Sequence, residues 1–220
     1  MSRHTESPGS PMPPRPGPSN LRPSLPLVHV ATRREWRSWL QRHHATSTGC
    51  WAVTVRKADL APGEVYVSAQ DLNEECLCFG WIDSKPARVD DRHTGLLCTP
   101  RKPGSGWSQV NKTRLERLLA DGRVATAGLA AIEQAKANGS WDKLAAVDSL
   151  EVPSDLAVAL AAVPEARSNF DAFPPSARRG ILEWIGQAKT EATRTNRVSE
   201  TAELAGQNIR ANQWRPPGGR

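Results

Sequence analysis

The sequence predicts an α+β protein, a small antiparallel sheet with packed helices followed by a C-terminal helical bundle. Three observations carry that prediction. Strand-forming runs, Cys50 to Arg56 foremost, lie in the first hundred residues between Pro- and Gly-bearing turns. From Ser108 onward, apolar residues recur at helical spacing in one segment after another. The first 26 residues hold eight prolines, at positions 8, 11, 13, 14, 16, 18, 23 and 26, and too little apolar surface to offset the entropy of ordering.

Taken in order, the ordered chain starts near Leu27. Thr32 with Glu35 three residues on is a capping box, and Trp36, Trp39, Leu40 and His43 then form one face of an amphipathic helix. Cys50 to Arg56 reads as a strand, and Glu64 to Val67, after the Pro62-Gly63 turn, as a second. Ser68 and Asp71 cap a helix that carries Leu72, Cys76 and Phe79 towards Gly80. The segments around Arg88-Val89 and Leu96 to Thr99 form hairpin arms, with the reversal at Asp90-Asp91.

The back half reads as a series of capped helices. Ser108 opens one bearing Val110, Leu115, Leu118 and Leu119, closed by Asp121-Gly122, and Thr126 opens the next, closed by Asn138-Gly139. Pro153-Ser154, Val163-Pro164 and Pro175-Ser176 open three more, the last with Ile181, Trp184, Ile185 and Ala188 on one stripe. A final helix covers about Thr190 to Ala205. The expected organisation is a leader at 1–26, an α+β half at 27–103, a helical half at 104–206 and a basic tail at 207–220. Trp214 in that tail is expected to dock back onto the body.

Composition sets bounds on function. The 220 residues suit one or two domains, and 38% hydrophobic with 24% charged is ordinary for a globular chain. A formal charge of +6 permits attraction to anionic partners, although part of it lies in the two ends. Cys50, Cys76, Cys78 and Cys98 have no metal-ligand spacing and read as buried thiols, so neither a metal nor a cofactor is expected. No secretory signal and no apolar run long enough for a membrane span is visible, which makes the cytoplasm the expected compartment. There is no Walker loop, no dinucleotide fingerprint and no GxSxG elbow, and no catalytic residue is assigned.

The segment richest in chemistry runs from Cys78 to Asn111. Its candidate binding residues are Trp81, Asp83, Arg88, Arg101, Lys102, Ser105, Trp107 and Asn111. Gly104 and Gly106 lie just before a helix start at Ser108, so backbone N–H groups there, beside Arg101 and Lys102, could cradle an anion. Trp107 could add a stacking face. Asp83 and His93 are the groups that would serve acid–base chemistry if the protein were an enzyme.

The stretches CFGWIDS, TPRKPGSGWSQVNK and AGLAAIEQAKANGSW, followed by VPSDLAVAL, RRGILEWIGQAKTEATRTNRV and IRANQWR, occur in this order. Together they resemble the YdeI/OmpD-associated family, also called bacteriocin-protection proteins, over roughly Leu27 to Arg215. The resemblance implies protection against bacteriocins or antimicrobial peptides and association with an outer-membrane porin. It supplies no catalytic residues, and without an export signal the porin association is not expected here.

The first expectation is therefore a non-enzymatic cytoplasmic protein of the stress or bacteriocin-protection type. It would hold an anionic ligand or protein partner on a Trp/Arg/Lys surface. The alternatives are a nucleic-acid-binding module using the same surface and an enzyme acting on a phosphorylated small molecule.

Overall fold

The computed structural model describes residues 24–213. The leader up to Pro23 and the tail from Trp214, with the expected docking of Trp214, lie outside the described residues. The rest divides into two compact units. The first contains residues up to 102 with 117–131; the second contains 103–116 with 132 onward.

The first unit is built on a four-stranded sheet of order β1-β2-β4-β3, made of β1 (Leu27–His29), β2 (Cys50–Val55), β3 (Trp81–Arg88) and β4 (His93–Pro100). The hairpin β3-β4 is antiparallel, as is β2 against β4. Its reversal forms where expected, because the Asp90 carboxylate accepts the backbone N–H groups of Arg92 and His93 at 2.8 and 2.7 Å. The sheet is nevertheless mixed rather than antiparallel. β1 pairs parallel to β2, since helix α1 (Arg33–His43) intervenes and returns the chain in the same direction.

Expected strand 64–67 does not form. That segment is extended, with Val67 buried but Val65 and Tyr66 exposed, and it joins no ladder. It is fastened instead by side chains: Glu64 accepts from Ala61 N–H at 2.8 Å and pairs with Arg92. Alternation alone could not distinguish a strand from an extended loop tied down in this way.

Local capping accounts for both helices on the sheet. Thr32 Oγ1 accepts Glu35 N–H at 3.2 Å, while the Glu35 carboxylate turns back to Ala31 N–H at 3.0 Å. Ser68 and Asp71 form the complete reciprocal box at the start of α2 (Ala69–Cys78). Gly80 leaves α2 with φ +71°, a conformation that glycine adopts without strain. Gly128, in the first turn of α4 (Thr126–Ala137), lies so near α2 that a Cβ there would sit 2.4 Å from the Cys78 carbonyl oxygen.

Helices α1 and α2 cover the sheet with Trp36, Leu40, Leu72, Cys76 and Leu77, all buried. At the centre of that covered face, Cys50, Cys98 and Asp83 stand in one row across β2, β4 and β3. The opposite face buries Trp51, Val53, Ala87 and Leu97.

The second unit is helical. Its core gathers α6 (Ser154–Ala162), α7 (Ala166–Ala172), α8 (Pro175–Gly186) and α9 (Glu191–Gly206) around Leu156, Leu160, Phe170, Ile181, Ile185 and Ala202. The expected helix at Val163-Pro164 begins later, at Ala166, behind Glu165 in a left-handed conformation with φ 60°. A short α5 (Ala145–Asp148) has no sequence signal long enough to have been read.

The chain passes between units within α3 (Gln109–Ala120) and within α4. α3 buries Leu115 and Leu118, whereas Val110 and Leu119 on the same helix are exposed. The described residues contain no helix long and apolar enough to cross a membrane.

Candidate functional site

The residues singled out from the sequence separate into distinct environments. Trp81 is 1% exposed, and its indole N–H donates to the His44 carbonyl at 3.1 Å. Trp107 is also 1% exposed and packs on Trp141 at 5.2 Å. Neither ring presents a face to solvent, which corrects the expectation of a stacking surface made from these two tryptophans. Both are large apolar bodies, and burial satisfies them better than exposure.

Asp83 accepts from Asn73 Nδ2 at 2.6 Å, which fixes its carboxylate against α2. Arg101 follows β4 with its backbone N–H on the Gly80 carbonyl. Burial pulls the pKa of its guanidinium down to about 10, partly offset by the Asp83 charge. Arg88 lies at the far end of β3, engaged with Asp91 and the Asp90 carbonyl. Lys102 is exposed. His93, the other acid–base candidate, has Nδ1 2.9 Å from the Asp90 carboxylate.

In the second unit the first N–H group of α3, just after the expected anion cradle, is engaged from within. Gln109 N–H, at the start of α3, donates to Asp148 Oδ2 at 2.7 Å, and Asp148 Oδ1 takes Arg179 Nε at 2.8 Å. A carboxylate at a helix N-terminus is the favourable arrangement that the sequence reading assigned to a ligand. The preceding loop is tied down as well. Asn138 and Ser140 both donate to the Pro103 carbonyl, at 2.9 and 3.0 Å, and Gly106 packs on Leu144 so closely that a Cβ would meet it at 2.7 Å. Ser105 is half-buried in this loop, and Asn111 follows in α3 with its N–H on Ser108 Oγ at 3.4 Å.

The four thiols are all buried and free. Burial pushes the thiols of Cys50, Cys76 and Cys78 upward, and neighbouring thiols or carboxylates add to the effect. Native protein is therefore expected to leave a thiol reagent unreacted over minutes. All four should titrate once denaturant is added; rapid labelling of one native thiol would contradict the buried placement.

The densest charge cluster is one that sequence reading missed. Glu74 and Glu75 of α2 are 2% and 0% exposed at their side chains. Glu75 pairs with Arg33 Nε at 2.7 Å, with Arg37 Nη1 at 2.8 Å and with Arg123. Glu74 pairs with Arg33 Nη2 at 2.8 Å and with Arg117. Burial raises the Glu74 pKa, but hydrogen bonds from Gln70 and Arg33, with the charges of Arg33 and Arg117, outweigh it and hold it below the usual range. The cluster ties α1, α2 and the 117–123 segment together, and its charges are spent on one another.

Among the described residues, a groove of about 450 Å³ lies between β1 and α1, where Arg42 Nε donates to the Ser38 carbonyl at 3.1 Å but no carboxylate pairs with it. One wall is the outer side of Val28, His29 and Val30. The other is Glu35, Ser38, Trp39 and Arg42, at i, i+3, i+4 and i+7 along α1, with Arg34 beside them. Trp39 is half-buried and held from behind: it stacks on Trp36 at 5.3 Å and 11°, and meets Trp81 edge-on at 5.8 Å. Trp81 thus supports an aromatic that faces outward. Among the described residues, Arg34 and Arg42 make no salt bridge, and both are exposed. The sequence placed Trp39 with Trp36 on one apolar face; the 35/38/39/42 stripe was equally readable.

These features define an α+β chain with a strand-edge groove in its first unit and a helical second unit. Within that second unit, residues 149–208 match the family described as bacteriocin-protection, YdeI or OmpD-associated, which supports the resemblance read from the sequence. Residues 28–131, which hold the CFGWIDS and TPRKPGSGW motifs, match a domain of unknown function, DUF8412. No curated protein and no solved structure matches the chain.

Proposed function

We propose that this chain is a non-enzymatic binding protein of the bacteriocin-protection type, working in the cytoplasm, and that its groove between β1 and α1 holds an anionic partner. The observation that carries this reading is the pair Arg34 and Arg42, which have no salt-bridge partner among the described residues and flank a pre-positioned Trp39. The other named arginines of the first unit's clusters have carboxylates of their own. The groups that could have done acid–base work, Asp83 and His93, are engaged in structural hydrogen bonds. The family match in the second unit supports the protective role.

The test compares wild type with the double variant Arg34→Glu, Arg42→Gln. A labelled acidic peptide and a labelled single-stranded oligonucleotide serve as probes. Arg34 lies in the first turn of α1, where a carboxylate is favourable, so the fold tolerates the change. Binding of at least one probe is expected to weaken about tenfold or more in the variant. Wild-type binding should fall as salt shortens the screening length to about 10 Å at 0.1 M. Equal binding by both proteins would overturn the assignment.

A further inference from the structure

We propose that the partner is an extended acidic segment of another polypeptide, added as a fifth strand along the open edge of β1; this rests on the groove reading above. β1 stands at the end of the sheet order, so among the described residues one of its edges has no strand beside it. Two hydrogen bonds fix which backbone groups face which way. Trp51 N–H donates to the Pro26 carbonyl at 2.9 Å, and Val30 N–H donates to the Val53 carbonyl at 2.8 Å. Backbone groups alternate along a strand, so Pro26, Val28 and Val30 point inward to β2, and Leu27 and His29 point to the open edge. Leu27 and His29 are also exposed.

An open edge beside a helix is the geometry in which main-chain hydrogen bonds give affinity and alternate side chains give specificity. The stripe from Glu35 to Arg42 spans about 10 Å at 1.5 Å per residue, the length of three or four extended residues. A strand lying there has alternate side chains turned towards α1, where Trp39 offers an apolar face and Arg34 and Arg42 offer cations. Glu35, the one carboxylate in the groove, is already held by Ala31 N–H, so it competes little for those arginines.

Charge selects among occupants. The chain's own leader carries Arg3, Arg15 and Arg22 against a single Glu6, and the 207–220 tail carries Arg210, Arg215 and Arg220 with no acidic side chain, so neither complements the groove. A second copy of β1 offers Leu-Val-His, with no carboxylate. An acidic strand from another polypeptide satisfies both the edge and the cations.

The experiment uses the full chain and an end-capped peptide of alternating Val and Glu. Two N-methylated twins of that peptide accompany it, one blocking the N–H groups of the Val residues and the other those of the Glu residues. Methylation keeps every charge but removes one edge's donors. The parent is expected to bind, one twin to lose about tenfold or more, and the other to hold. Amide exchange at Leu27 and His29 should slow in the complex. Twins that both match the parent would overturn the strand-addition proposal while leaving the anionic-partner reading intact. So would binding of the oligonucleotide alone, or self-association of the chain through β1 in place of peptide binding. If no anionic probe binds, both readings fall.

Discussion

Glu75→Gln is expected to destabilise the first unit by about 3–5 kcal/mol, the cost of breaking a buried ion pair from one side. The side chain is fully buried and receives Arg33, Arg37 and Arg123. Glutamine keeps the shape but removes the charge that offsets burial of those guanidinium groups. Gln also brings two N–H donors of its own, which meet other donors at close range. The three arginines belong to α1 and to the segment after α3, so the loss is shared by every element that the cluster joins. Urea unfolding followed by circular dichroism measures the effect. A change below about 1 kcal/mol would mean that water already screens the cluster, contrary to its placement.

Trp36→Ala is expected to cost about 3–5 kcal/mol, as for other large aromatic truncations in cores. Trp36 is fully buried, and its indole N–H donates to the Leu72 carbonyl at 3.1 Å, so truncation leaves a cavity and removes a second hydrogen bond from a carbonyl that lies within α2. The effect extends to the groove, because Trp39 stacks on Trp36. Probe binding should weaken together with stability, whereas the Arg34/Arg42 variant should weaken binding and leave the unfolding midpoint nearly unchanged. Phe at position 36 restores part of the volume and the stacking but not the hydrogen bond. It should recover more of the binding than of the stability.

Much of the architecture was readable because local chemistry determined it. Thr32, Ser68 and Asp90 each announce an element boundary through a side chain that finds its backbone partner within three residues. The parallel placement of β1 was not readable. Three residues are too few to carry a periodic pattern, and their partner lies beyond a helix. The Glu74–Glu75 cluster was hidden for a related reason. Two adjacent acids on an amphipathic helix read as solvated, and the arginines that reach them come from positions 33, 37, 117 and 123.

The candidate site shows the same limit from the other side. Density of Trp, Arg, Gly and Pro drew attention to 78–111, yet the fold takes up several of those groups. Asp148 engages the first N–H group of α3, Asn138 and Ser140 hold the Pro103 carbonyl, and Trp81 and Trp107 enter cores. What stays available is decided by which polar groups lack a partner after folding, and a linear reading cannot count partners. Arg34 and Arg42 are unexceptional in the sequence and become distinctive only beside a strand edge.

The most direct test of the groove is a head-to-head titration of one acidic probe against Arg34→Glu and Lys102→Glu. Both replace an exposed cation by an anion and change the net charge equally, so non-specific attraction falls alike in each. If the groove is the binding surface, Arg34→Glu weakens the probe about tenfold more than Lys102→Glu does. If Lys102→Glu has the larger effect, the working surface is the segment after β4, and the groove assignment is wrong.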